Sequence, residues 1–497
     1  MKKVFALLLA GTMVLSMGSA ALAEEAGTKQ SLSIAISSDF GTMAPGYMSG
    51  VAGYTVYETL FLADGTGVLA DSWEFPDDTH MLVHLKEGIH DSEGNPFTAD
   101  DVLYSLDLMH NDFISAMYIP FIDFENSEII DDLTVSIATT EPNVDAWKLM
   151  YDIKMTTREA YEASGDGMAS LAVGTGKYKM VEYIPSSTIK LVRNENYWGE
   201  VPAAYDNLTF YIITESSQRA IAVESGQCNV AVEISASDFN RLNEEGTFNT
   251  AKVGGFTQYN LYYNCSEYSL CSNEHLRRAI SYAVDGDTIN TVVFKGLYGH
   301  AYGTGAVNCS GQDLSWIEDY YETDLDKAKA ELEEAGIPAG TKLVLGCPAN
   351  DINLQMAQVV QGMVSQIGLE VEIQSFETAT YDEVLTQPDS GLDFSVRQNG
   401  CPDGYYGNQI NVRINSSNQI HYENAERNDL LAKSLRTLDE EKQLEINKQI
   451  AMIIYEACPY YNYMEMNILY CYDNSIEGWD EMVESARGGT IHYECLR

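Results

Sequence analysis

Leu69-Ala-Asp-Ser-Trp-Glu74, His80-Met-Leu-Val-His-Leu85, Lys86-Glu-Gly-Ile-His-Asp91 and Gly94-Asn-Pro-Phe-Thr-Ala-Asp-Asp-Val-Leu-Tyr-Ser-Leu106 follow one another closely near the start of this chain. The alternation from His80 to Leu85 suits a strand with one buried face. Asp91 to Pro96 has turn composition, because Asp, Asn, Gly and Pro all favour turn backbone. Thr98 followed by Ala-Asp-Asp has the form of a helix start, with a hydroxyl at the N-cap and acids in the first turn. The segment therefore reads as a strand, a turn and a capped helix.

Outward from it the same grammar continues. Leu32–Ile36 and Leu208–Ile213 read as strands, and Thr323–Ala335, Leu354–Ile367 and Glu440–Glu456 as helices by their apolar period. Pro459 follows the last of these as a stop signal. Gly368-Leu-Glu-Val-Glu-Ile-Gln374 alternates as a strand after the helix before it. No internal repeat, low-complexity tract or long Pro/Gly/Ser linker interrupts this alternation, which is that of open α/β domains.

Further stretches stand in order along the chain: Tyr57-Glu-Thr-Leu-Phe61, Gly174-Thr-Gly-Lys-Tyr178, Arg193-Asn-Glu-Asn-Tyr-Trp198, Arg219-Ala-Ile-Ala with Ser225-Gly226, Leu276-Arg-Arg-Ala-Ile-Ser-Tyr-Ala-Val-Asp285, and Asp326-Lys-Ala-Lys-Ala-Glu-Leu-Glu-Glu-Ala-Gly336. Together with the opening segment they resemble the family 5 extracellular solute-binding proteins, the receptors that bring dipeptides, oligopeptides and nickel complexes to ABC importers. The resemblance implies an α/β fold of the two-lobed periplasmic-binding-protein type (type II, large cluster), with an extra subdomain inserted in the first lobe. The implied divisions are a base domain from residue 24 to 56 and again from 174 to 255, the insertion at 57–173, a second lobe at 256–469, and a C-terminal return to the base at 470–497. Two crossing strands join the lobes, with a hinge expected at Gly255, Phe256 and Tyr470.

Lys2 and Lys3 precede an apolar run from Val4 to Leu15, and Ala21-Leu22-Ala23 has the small residues of a cleavage site. Residues 1–23 are read as a secretory signal peptide. The run is shorter than the roughly 20 residues that span a bilayer. No cysteine follows the cleavage site closely, the first being Cys228, so a periplasmic or secreted location without a lipid anchor is expected. The 74 acidic residues against 29 basic ones, a net charge of -45, disfavour nucleic acid and anionic lipid as partners. A hydrophobic content of 45% is ample for packed cores, so the acidity does not signal disorder.

Nine cysteines in an exported chain raise the question of disulfides. Cys265 and Cys271 flank a short polar loop and are the pair best placed to close one, although scattered structural thiols are the simpler account. No zinc-type spacing occurs, and His80 and His84, which share a strand face, lack a third ligand. No cofactor or metal is expected. There is no Gly-x-Ser-x-Gly elbow, His-Glu-x-x-His pair, EF-hand loop or complete phosphate loop. Gly174-Thr-Gly-Lys-Tyr178 lacks the first glycine and the final hydroxyl of such a loop. The chain is therefore read as a binding protein rather than an enzyme; a secreted hydrolase working through a pair of carboxylates is the competing class. The 32 tyrosines also keep an oligosaccharide ligand in view, alongside a metal chelate.

Asp393-Phe-Ser-Val-Arg-Gln-Asn-Gly-Cys-Pro-Asp-Gly-Tyr-Tyr406 bears most on ligand identity. In peptide-binding members of the family the corresponding strand and loop carry an aspartate for the peptide's α-amino group, then Asp-Pro and aromatics. Here Cys401-Pro402 stands in place of Asp-Pro. That register puts Gln398 or Asn399 at the amine position and leaves Asp403 as the alternative anchor, with Tyr405 and Tyr406 beyond it. Arg397 either meets an anionic ligand group or, as the acidic excess favours, pairs with one of the chain's own acids. On the first lobe Tyr47, Met48, Ser49 and Gly50 follow Met43-Ala-Pro45 and are expected to face the cleft. Asn229 stands where relatives carry aspartate and is read as structural. The expected partners are a peptide or other small solute and an ABC permease with its ATPases, the receptor itself being a monomer.

Overall fold

The computed structural model describes residues 29–47, 50–62, 65–111, 121–142, 150, 153–200, 203–307, 309–400, 406–416, 418–437 and 439–479. The segment 1–28, and with it the signal-peptide reading, lies outside the described residues, as do 480–497.

Fourteen strands are described, in two sheets. The larger holds β1 (Lys29–Ile36), β6 (Tyr178–Ile184), β7 (Thr188–Arg193), β8 (Tyr205–Ile212), β9 (Val230–Val232), β10 (Asn249–Tyr263), β11 (Lys342–Pro348), β12 (Glu370–Phe376), β13 (Phe394–Asn399) and β14 (Tyr460–Tyr472), in the spatial order β12-β11-β13-β10-β14-β9-β1-β8-β7-β6. The smaller is antiparallel, with β2 (Ala70–Glu74), β3 (His80–Leu85), β4 (Ile122–Asp131) and β5 (Thr134–Thr139) in the order β2-β3-β5-β4.

The opening segment folds as its residues require. Met81, Val83 and Leu85 are buried on one face of β3, and the alternate residues are half-buried. Asp91 closes the turn by accepting from the backbone of Glu93 and Asn95 and from the Asn95 amide. The helix Ala99–His110 starts from Thr98, whose backbone N–H is taken by Asp101 at 2.8 Å, a capping box. Most other elements fall where the period puts them: Leu325–Glu334, Asp351–Ser365 and Glu440–Ala457 are helices, and β12 follows the second of them.

The large sheet has two halves that share only β10 and β14. On one side β11, β12 and β13 run parallel and carry a core that includes Leu261, Leu276, Leu345, Val360 and Phe394. On the other, β1, β8 and β9 carry Leu32, Ile34, Leu208, Phe210 and Val230. The small sheet has its own core around Val83, Val102, Leu106 and Ile137.

The residues that carried the family resemblance explain themselves as structural ties. Glu58 accepts from the Tyr197 hydroxyl at 2.8 Å and the Trp198 indole at 2.9 Å, joining two of the quoted stretches. Arg219, almost fully buried, donates to the carbonyls of Val232, Ile213, Thr214 and Glu233. Arg277 does the same for Ala457, Cys458, Cys271 and Ser272. Gly176 donates to the Val56 carbonyl at 2.9 Å, and a Cβ on it would stand 2.6 Å from that oxygen. Close backbone approach, not phosphate binding, is what these glycines provide.

Asn229 accepts from the Ser33 backbone and hydroxyl and donates to Asp473 at 2.8 Å. An aspartate there would meet the Asp473 carboxylate, so the amide suits this chain's own neighbours. The seven described cysteines are free thiols, Cys265 and Cys271 among them, so the Cys265–Cys271 bridge does not form. Burial pushes the Cys265 thiol up to about 11 and the Cys228 thiol up to about 12. No helix among the described residues is long and apolar enough to cross a membrane.

Candidate ligand cleft

β10 and β14 are long enough to serve both halves of the sheet. From Asn249 to Gly254, β10 pairs with Tyr472 to Asn467; from Gln258 to Tyr262 it pairs with Glu465 to Tyr460 while its other edge takes β13. Between these stretches the register shifts, so Gly255 to Thr257 face only Met466, and a second, smaller shift between Tyr259 and Asn260 passes over Tyr463. Such a bulge increases local twist and removes ladder bonds at one level of the sheet. Gly255 and Phe256 lie at this break. Tyr470 does not: it pairs with Ala251 and Val232 inside the regular ladder, and its ring is buried against Trp479. Its counterpart at the break is Met466.

β13 brings the candidate residues of the second half beside β10. Gln398 is exposed opposite Tyr259. Asn399 donates its side-chain amide to the Tyr262 hydroxyl, with Tyr262 buried behind it. Arg397 pairs with Asp382 at 2.5 Å and lies over the Tyr381 ring, so one of the chain's own acids already holds its guanidinium. Asp393 accepts from the Ser269 hydroxyl, the Leu270 amide and the Val344 amide, which commits both its oxygens to the fold. Tyr406 is fully buried and bonds the Thr304 hydroxyl at 2.7 Å, so it supports the wall of the site and does not present a surface to ligand. Asp403 and Tyr405 lie outside the described residues.

On the first half, Tyr47 is exposed after a turn in which its amide donates to the Ala44 carbonyl at 3.0 Å. Gly50 opens the helix Gly50–Val56. Met48 and Ser49 lie outside the described residues. His80 bonds Asp77 at 2.9 Å and His84 bonds Thr134 at 3.3 Å, so each histidine of the β3 pair has a partner of its own.

Sequence reasoning missed a buried polar layer beneath the break. Gln258 donates to Glu465 at 2.6 Å and accepts from Arg413 at 3.0 Å; Asn462 accepts from Asn260 at 2.6 Å and from Arg413 at 3.0 Å. Gln258, Asn260 and Asn462 are wholly buried, and Arg413 nearly so. Burial raises the Glu465 carboxyl to about 7, against which its bonds from the Val307 amide and Gln258 and the nearby Arg413 charge act only partly. The signal available in the sequence was polar residues inside otherwise aromatic strands, Tyr259-Asn260-Leu261 and Tyr461-Asn462-Tyr463. Buried amides must be paired, and here they pair across strands.

Comparison with known proteins agrees with this architecture. Residues 66–410 match the model of the bacterial extracellular solute-binding proteins, family 5 Middle. The dipeptide-binding protein of Escherichia coli (strain K12) is 25% identical over 436 residues, 79% of each chain. The ABC transporter substrate binding protein CtaP from Listeria monocytogenes superposes with a TM-score of 0.81 at 22% identity, over 94% of this chain and 98% of CtaP. NikA from Brucella suis, solved in complex with Fe(III)-EDTA, gives a TM-score of 0.79 at 22% identity, over 94% of this chain and 100% of NikA. With a family match over most of its length and two sheet halves joined by a pair of crossing strands, this chain belongs to the family 5 bacterial extracellular solute-binding proteins.

Proposed function

We propose that this protein is the extracytoplasmic substrate-binding component of an ABC importer, taking a peptide or peptide-like solute between its two halves and passing it to a membrane permease driven by ATPases. The observation that carries this reading is the coincident break in β10 and β14, which allows two α/β halves to rotate about one level of the sheet. The first lobe is taken as residues 24–255 with the C-terminal return, and the second as 256–469. Ligand that binds the closed arrangement better than the open one shifts the population toward closure, and no chemical step is required. The protein acts as an exported monomer after loss of residues 1–23.

On the second lobe, Asp393 is committed to the fold and Arg397 to Asp382, and Gln398 and Asn399 carry neutral amides. Recognition of a free α-amino group therefore falls to Asp403. The relative from E. coli named for dipeptides supports the peptide class.

A thermal-shift screen of residues 24–497 against di- to pentapeptides, amino-blocked peptides, oligosaccharides and nickel chelates tests the reading, since a ligand of the folded state raises the midpoint. A rise with free peptides, lost in Asp403→Ala and retained in Arg397→Ala, is the expected result. A rise with sugars or chelates alone overturns the choice of ligand. Product formation from any of these would overturn the receptor reading.

A further inference from the structure

Residues 297–307 form a strap that crosses the break. At its start Leu297 packs with Leu469 and Cys471 of the first half, and its carbonyl accepts from Asn467 at 2.8 Å. Gly299 then exchanges both backbone hydrogen bonds with Glu465, at 2.9 and 2.8 Å. Beyond it the strap is held by second-half side chains: Asn462 donates to the Gly303 carbonyl at 2.7 Å, Tyr460 and Arg413 to that of Thr304 at 2.6 and 3.2 Å, and Gln258 to that of Gly305 at 3.2 Å. The strap ends with the Val307 amide donating to the Glu465 carboxylate at 3.0 Å. A single residue of β14 thus grips both ends of the strap, by its backbone and by its side chain, at the level where the crossing strands lose register.

Glu465 is only 9% exposed. Its one charged neighbour among the described residues, Arg413, is separated from it by the Gln258 amide. Of the other elements packed here, β10 offers the neutral Gln258, and Met464 and Met466 flank it on β14. The strap's His300 is turned to Asp287 on the helix Gly286–Phe294, at 3.3 Å. An ionised carboxylate in this place loses its water without a direct ion pair, a cost that two hydrogen bonds offset incompletely. Any motion that unseats the strap returns water to it.

We propose that Glu465 is a proton-operated clasp: protonated, it keeps the strap seated across the break, and its ionisation favours an unseated, hydrated arrangement in which the two halves bend freely. Binding by the receptor then depends on pH around neutrality, with the proton released to solvent as the clasp opens. For that consequence the inference rests on the two-lobed receptor reading; the clasp itself is tested without ligand.

Hydrogen exchange of the mature protein, measured by mass spectrometry on peptides covering 297–307 at pH 6 and pH 8 and corrected for intrinsic rates, reads the clasp directly. Strap protection is expected to be about five- to tenfold higher at pH 6 than at pH 8. In Glu465→Gln it should be the same at both pH values and no lower than the wild-type pH 6 value, while peptides from the helix Glu440–Ala457 report that the fold is intact. Equal pH dependence in wild type and Glu465→Gln, or none in wild type, overturns the proposal. So does a strap unprotected at both pH values in a folded Glu465→Gln, which would mean that the charge holds it. Each of these outcomes leaves the receptor reading standing.

Discussion

At the scale of single residues, some of the buried charged groups among the described residues hold backbone and others, Glu465 and Arg413 among them, lie at the boundary between the two halves. Arg219 and Arg277 belong to the first kind, each planar guanidinium spanning several backbone carbonyls. Truncating Arg277 leaves the Cys271, Ala457 and Cys458 carbonyls buried without a donor, so Arg277→Ala is expected to cost about 2–4 kcal/mol in urea unfolding. Arg277→Lys should recover little of that, since an ammonium does not fork between those oxygens. Arg397 is different: its pair with Asp382 is mostly open to solvent on the aspartate side, and such pairs contribute little. The residue reading that set structural pairing ahead of ligand binding at Arg397 agrees with this geometry.

At the scale of elements, the joins between stretches are where the sequence was most demanding. The Gly174-Thr-Gly-Lys-Tyr178 turn runs against the Val56 carbonyl, and neither glycine has room for a Cβ. Gly176→Ala should force Val56 aside and cost about 1–3 kcal/mol, the usual range for overpacking, measurable as a lowered urea midpoint with an unchanged slope. The helix starts were readable because a cap is a local device: Asp324 accepts from the amides of Asp326 and Lys327, and Asn273 from those of His275 and Leu276. The break in β10 and β14 was only half readable. Gly255 and Phe256, where the resemblance implied a hinge, lie at it on one strand, whereas Met466 on the other carries no turn or glycine signal and Tyr470, implied with them, lies inside the ladder.

At the scale of the whole molecule, Glu465 links stability to pH. Its carboxyl titrates at about 7 in the folded chain against an ordinary value of 4.5. Between those values the unfolded chain has lost the proton and the folded chain keeps it, so this group's contribution falls as pH rises from about 4.5 to 7 and is constant above. Wild type should therefore be more stable relative to Glu465→Gln at pH 5 than at pH 8, by up to about 3 kcal/mol. Urea titrations of both proteins at the two pH values check the sign; the opposite sign would mean that the carboxylate is stabilised where it lies. The net charge of -45 adds self-repulsion over the same range, which the comparison with Glu465→Gln cancels.

The sequence by itself determined the alternating α/β elements, the family resemblance and the cap at Thr98, because each of these rests on periodicity or on residues adjacent along the chain. It also carried Cys401-Pro402, the departure on which the proposal of Asp403 as amine anchor rests. Only the tertiary structure decided that Arg397 meets Asp382, that Tyr406 is buried behind the wall, and that Gln258, Glu465, Asn462 and Arg413 form one layer under the strap. Those pairings join residues far apart in sequence, across strands whose register is set by the cores on either side. No local pattern encodes which buried amide faces which carboxylate.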